Sequence, residues 1–96
     1  MNDKELYQQK KQAQLDEWKA ELDRLKAKAS GASADAQLAL NRQIDALQGK
    51  IDHGKTKLAE MKHASEEAWE SIKEGVESAW DSMKSAFSDA ADKFKK

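Results

Sequence analysis

Apolar residues recur along the first third of the chain at alternating intervals of three and four residues. This spacing puts them on one face of a helix and is the a/d pattern of a coiled coil. The pattern weakens before Leu15, so we expect residues 2–14 to form more solvated first turns. The first stripe comprises Leu15, Trp18, Leu22, Leu25, Ala29, Ala32 and Ala36.

A second stripe follows after a slip of one residue, which either unwinds a supercoil locally or marks a bend. Two interpretations of residues 30–33 remain open at this point. The chain turns there, with Ser33 as the cap of a second helix, or one helix continues through Gly31 because the small residues keep the phase. The second stripe comprises Ile44, Leu47, Ile51, Gly54, Leu58 and Met61.

The last third of the chain repeats every 11 residues. Residues 66–76 align with residues 77–87, and the motif Ala-Trp-acid-Ser returns in register. Eleven residues fill three turns at about 3.67 residues per turn, so the stripe runs almost straight along the helix. Ser65, followed by two acids, is typical of a helix start. This third stripe comprises Met61, Ser65, Trp69, Ile72, Val76, Trp80, Met83, Phe87, Ala91 and Phe94.

Together these patterns predict an all-α protein of long amphipathic helices that form a coiled coil. Residues 1–63 are the heptad region, with a possible bend near 30–33, and residues 64–96 are a C-terminal amphipathic helix. An extended rod would be about 144 Å long and would bury its stripes only in an oligomer. Folding back would give a helical hairpin or, as the alternative, a compact three-helix bundle. The change of period argues against one regular supercoil of all three segments.

The composition narrows the class of protein. The chain has 96 residues, of which 39% are hydrophobic and 36% are charged, and it has no Cys and no Pro. This excludes a disulfide framework and argues against an all-β fold. The net charge of -1 offers no broad basic surface, so we expect no nucleic-acid partner. With no long apolar run and no apolar stretch near residue 1, we expect a cytoplasmic protein.

Charge divides the chain into two parts. Residues 65–96 carry eight acids and five lysines, a net of -3, which leaves +2 for residues 1–64. The two parts should attract each other. Trp18, Trp69 and Trp80 all lie on the stripes, which favours packing between helices. An amphipathic helix on a membrane surface is the less favoured interpretation, because the acidic last third suits anionic lipid poorly.

Candidate chemistry is sparse. Glu60 and His63 have a helical spacing used in metal-binding bundles, but such sites need further inward ligands. Carboxylates alternate with Lys and Arg, which is typical of a solvated helix face. We therefore expect no catalytic residues, no metal, no cofactor and no small-molecule substrate.

Two separated blocks carry a family resemblance. Tyr7–Lys10, Ala13–Leu22 and Lys26–Ala29 form the first block, and Ala68–Asp81 forms the second. These blocks resemble the small bacterial coiled-coil proteins known as stress-response proteins, a family named after a cyanobacterial stress-induced member. The resemblance implies a soluble helical protein in bacteria. It brings no established catalytic or binding residues to this chain.

The sequence thus predicts a non-enzymatic coiled-coil protein for structure or interaction, which self-associates as a homo-oligomer and acts under stress. The alternative is a protein whose 11-residue repeats bind membrane or lipid surfaces. In either case a set of apolar side chains should form the helix interface. This set is Leu15, Trp18, Leu22, Leu25, Ile44, Leu47, Ile51, Leu58, Met61, Trp69, Ile72, Val76, Trp80, Met83, Phe87 and Phe94.

Overall fold

Three helices joined by two short turns make up the described part of the chain. The computed structural model describes residues 2–94, so the last two residues of the predicted C-terminal segment lie outside it. Helix α1 spans Asp3–Ser30, α2 spans Ala34–Lys62 and α3 spans Trp69–Phe94. Residues 2–94 contain no strand. The prediction of an all-α fold is confirmed.

The first turn lies between α1 and α2, at residues 31–33. The Gly31 backbone N–H donates to the Lys28 carbonyl at 3.2 Å, which closes the end of α1. The Ser33 hydroxyl then accepts a hydrogen bond from the Ala36 N–H at 3.4 Å, so it caps the first turn of α2. The chain therefore turns at residues 31–33 and does not continue as one helix through Gly31.

The second turn connects α2 to α3. The Ser65 hydroxyl accepts a hydrogen bond from the Ala68 N–H at 3.1 Å, as a capping residue does. Residues 66–68 nevertheless form a turn, and α3 begins only at Trp69. From the start of α1, the Lys4 ammonium donates to the Ala64 carbonyl at 2.6 Å and so ties the first helix to this connection.

Helix α2 lies between the other two and packs closely against both. Helices α1 and α3 run in the same direction and meet mainly through long side chains: Tyr7 lies beside Trp69, and Trp18 lies beside Phe87. The described chain measures 51 × 19 × 18 Å. The extended rod is therefore not the fold of this chain, which adopts the three-helix bundle.

The core is one continuous cluster contributed by all three helices. It differs from the predicted stripe at the end of α3, where Ala91 is exposed and Ala90 is fully buried. The most buried line of α3 follows a seven-residue interval, because packing against α2 in a bundle matches about 3.5 residues per turn. That line comprises Trp69, Val76, Met83 and Ala90.

The other differences from the predicted stripes lie beside the turns and at the chain start. Ala36 and Ser65 are exposed, since the stripe ends where each helix ends. Residues 2–14 are more solvated than the rest of α1, as predicted, with the exception of Lys11, which is buried at 7% exposure against α3.

Candidate interaction surfaces

The predicted interface positions converge on the interior of one bundle. Three of them, Trp18, Ile72 and Phe94, are half-buried and border the core. The remaining thirteen are buried within it, so the apolar stripes pack on one another inside a single chain. Those thirteen are Leu15, Leu22, Leu25, Ile44, Leu47, Ile51, Leu58, Met61, Trp69, Val76, Trp80, Met83 and Phe87.

An aromatic layer separates α1 from α3. The Trp18 ring stacks on Phe87, with centroids 6.0 Å apart and planes inclined by 13°. The same ring lies 6.2 Å from that of Trp80, tilted by 56°. Nearer the chain start, the Tyr7 and Trp69 rings lie 6.0 Å apart. Such offset and tilted pairs are favourable geometries for aromatic rings, and their bulk holds the two helix backbones apart.

Charged groups lie within this aromatic layer and form what we call the α1–α3 cluster. The Lys11 ammonium contacts the Glu77 carboxylate at 3.0 Å. The Tyr7 hydroxyl donates a hydrogen bond to the same carboxylate. The Lys73 ammonium lies 5.2 Å from the Tyr7 ring centroid and 5.6 Å from that of Trp69, within range of cation–π attraction. The cluster comprises Tyr7, Lys11, Trp69, Lys73, Glu77 and Trp80.

The cluster changes the titration of two of its members. The hydrogen bond from Tyr7 and the nearby Lys11 ammonium lower the pKa of Glu77, although its partial burial acts the other way. Burial, followed by the hydrogen bond to Glu77, raises the pKa of Tyr7 above its ordinary value of 10.0. Both shifts favour the arrangement found here, a charged carboxylate that accepts from a neutral phenol.

An open groove, here called the α2–α3 groove, runs along the opposite side of α3. It has a volume of about 820 Å³ and lies where α2 and α3 both present small residues to solvent. The Lys50 ammonium reaches across it and donates to the Ser82 hydroxyl at 2.8 Å. The residues that line the groove are Ala46, Gly49, Lys50, His53, Lys57, Gly75, Ser78, Ala79 and Ser82.

The two glycines that line the α2–α3 groove face open space. A methyl group added at Gly49 or at Gly75 would meet no atom within 4 Å. Gly54, one turn further along α2, is different because its added methyl would lie 2.6 Å from the Met83 Cε atom. Gly54 thus permits close packing of α2 on α3, whereas packing within the chain does not require glycine at the other two positions.

Some of these features were within reach of the sequence and others were not. Lys11 lies four residues before Leu15 and so extends the line of the first stripe toward the chain start. A lysine at such a position does not reveal the carboxylate that pairs with it. Glu77 occupies a polar position of the 11-residue repeat, and its register against α1 depends on the turn lengths. Gly75 is recognisable beside the third stripe, yet which side of the helix stays open depends on the bundle.

The remaining sequence candidates lie on the surface. Glu60 and His63, which the sequence singled out by their helical spacing, are both exposed at the end of α2. Across residues 2–94, no three His, Cys, Asp or Glu side chains are grouped closely enough to hold a metal ion. Among the described helices, none combines the length and the apolar character needed to cross a membrane.

Comparison with known proteins identifies one similarity. Two consecutive 11-residue segments, residues 69–79 and 80–90, match the TMP repeat. Neither the curated proteins nor the solved structures contain a match. The matched units have the same length as the repeat seen in the sequence, and both lie in α3. Over residues 69–90, the chain is therefore similar to two units of the TMP repeat.

Proposed function

We propose that this protein is a non-enzymatic helical module that acts through contacts between proteins and self-associates. The observation that carries the proposal is the α2–α3 groove, an open surface between two helices whose apolar stripes are already buried inside the chain. Six of the nine lining residues are Ala, Gly or Ser, which lets another helix approach closely once the Lys50 side chain moves aside. The net charge of -1 adds little repulsion between copies. A role under stress rests on the family resemblance alone.

Solution mass as a function of concentration tests this proposal. We expect the weight-average mass from sedimentation equilibrium to rise from the monomer value of 10.8 kDa as the concentration increases from micromolar to millimolar. A mass that stays at the monomer value over that range would remove self-association from the proposal. Small-angle scattering on the same samples measures whether the assembly remains as short as one bundle or lengthens.

Binding to lipid surfaces through α3 is the second candidate, and the packing of α3 weighs against it. Trp69 is only 7% exposed and Trp80 only 3%, so the repeat face would have to leave the bundle before it met lipid. Adding neutral and anionic vesicles should therefore change neither the tryptophan emission nor the helicity. A blue shift that saturates with lipid would instead support the lipid function.

A further inference from the structure

We propose that the α2–α3 groove is the surface through which two copies of this chain pair, with the exposed ridge of α3 from each copy seated in the groove of the other. This inference rests on the proposed self-association and specifies its interface. The ridge is the outward face of α3 beside the groove and comprises Ser71, Glu74, Ser78, Asp81 and Ser85, all of them exposed.

The two open glycines, Gly49 and Gly75, cost the single chain helix stability. Glycine inside a helix is less favourable than alanine because it gives up more backbone freedom on folding. Gly49 and Gly75 both lie inside helices, and neither is required by a neighbouring atom of the same chain. Both line the same groove. A second helix that approached this surface closely would need the space that a Cβ would fill at these positions.

The groove and the α3 ridge carry opposite charges. The charged side chains that line the groove are basic, namely Lys50 and Lys57 of α2. The charged side chains of the α3 ridge are acidic, namely Glu74 and Asp81. A surface that is basic on one side and acidic on the other is complementary to a second copy of itself turned through a twofold axis.

The relative direction of the two copies determines which charges pair. Lys50 contacts Ser82, and Lys57 lies two turns further along α2 toward the level of Gly75. If the two α3 helices cross in opposite directions near Ser78, Glu74 of the second copy comes beside Lys50. Asp81 of the second copy then comes beside Lys57. The antiparallel arrangement thus pairs Lys50 with Glu74 and Lys57 with Asp81, whereas a parallel arrangement would pair Lys50 with Asp81 and Lys57 with Glu74. Within its own helix, Lys57 also lies 3.6 Å from the Glu60 carboxylate.

The first part of the test is a double substitution, Gly49→Ala with Gly75→Ala. Because both sites are open in the single chain, we expect the thermal midpoint to rise by several degrees at concentrations where the protein is monomeric. The same change should weaken self-association at least tenfold in sedimentation equilibrium. The control is Asn41→Ala, an exposed helical site outside the groove, which should leave self-association unchanged.

The second part exchanges charges. Lys57→Glu and Asp81→Lys should each weaken self-association, and the combination should restore it. Within one chain, Lys57 lies about 10 Å along α2 from the level of Asp81, which follows from two helical turns. Restoration therefore reports a contact between copies. Asp23→Lys on α1 makes the same charge change as Asp81→Lys and should not alter self-association.

The results of these experiments distinguish self-association itself from the α2–α3 groove as its interface. A wild-type chain that remains monomeric overturns both. In a second result, the wild-type chain self-associates while the glycine substitutions have no effect and the charge exchange does not restore association. That result overturns the groove as the interface and leaves self-association standing. Weakening by the glycine pair together with restoration by the charge exchange supports the antiparallel pairing.

Discussion

At the residue scale, the most unusual group is the Lys11 side chain, a charged group that is buried between α1 and α3. Its ammonium depends on a single carboxylate, that of Glu77, and the two side chains are unequally exposed at 9% and 45%. Burial of a charge is costly unless it is paired. The pair is therefore asymmetric. Leaving the buried Lys11 charge without a partner should cost more free energy than leaving the partly solvated Glu77 charge without one.

This asymmetry predicts unequal effects of removing either charge. Glu77→Gln keeps an acceptor for Tyr7 but leaves the Lys11 ammonium buried without its counter-charge, so it should lower the free energy of unfolding by about 1–3 kcal/mol. Lys11→Met removes the buried charge and fills the space with an apolar chain, so its effect should be clearly smaller. Urea denaturation of both variants and of the double variant measures the difference. Equal losses in the two single variants would contradict the asymmetry.

The lowered pKa of Glu77 predicts how this contribution depends on pH. A group whose pKa is lower in the folded state stabilises the fold above its unfolded value, which is 4.5, and loses that effect as the pH falls through the folded value. The difference in unfolding free energy between wild type and Glu77→Gln should be constant near neutrality. It should narrow below pH 4.5. A difference that persisted unchanged in acid would show that the carboxylate charge is not its source.

At the scale of the elements, the sequence predicts helices well and their ends less well. The capping hydroxyls at Ser33 and Ser65 are visible as local signals, because capping depends on residues within one turn. The burial of Ala90 in place of Ala91 is not, because it depends on how α3 winds against α2. The 11-residue repeat of the sequence corresponds to about 3.67 residues per turn along a straight helix. Burial in the bundle instead follows the contact with α2, which repeats at about 3.5 residues per turn.

The contact between α2 and α3 predicts opposite roles for two glycines of the same helix. Gly54→Val would push a side chain into Met83 and the Trp80 ring, which lies 3.3 Å from an added methyl. We expect it to destabilise the bundle by about 1–3 kcal/mol, as overpacking does. Gly49→Val, the matched control on the open surface, should change stability little. Thermal melts at low concentration, where association does not contribute, distinguish the two.

At the scale of the whole molecule, the sequence is compatible with an extended rod, a helical hairpin and a three-helix bundle. The structure is the three-helix bundle. The stripes predicted helix interfaces, but they do not contain the information on whether those interfaces form within a chain or between chains. The turns at residues 31–33 and 63–68 place these interfaces within one chain, because each turn reverses the chain direction and brings consecutive helices side by side. The open groove could not be predicted, because it exists only once α2 and α3 are side by side.

The aromatic side chains of α3 supply much of what holds the whole bundle together. Replacing a buried Trp by a small residue costs about 3–5 kcal/mol, and a small domain has only about 5–15 kcal/mol in total. Trp69→Ser combined with Trp80→Ser should therefore leave the chain largely unfolded at 25 °C, as measured by circular dichroism. Trp18→Ser, at a half-buried site, is the control and should remain folded. An unchanged melting curve of the double variant would contradict the packing role.

The hydrogen bond between Tyr7 and Glu77 joins residues 70 positions apart, and this separation has a consequence for the order of folding. Contacts between consecutive helices close short loops and form early, whereas those between α1 and α3 must wait until both turns are made. We therefore expect the α1–α3 cluster to be nearly absent from the transition state. Changes in it should mainly accelerate unfolding and leave the folding rate almost unaltered. The cluster should therefore set the unfolding rate, and with it the lifetime of the folded bundle, while it contributes little to the folding rate.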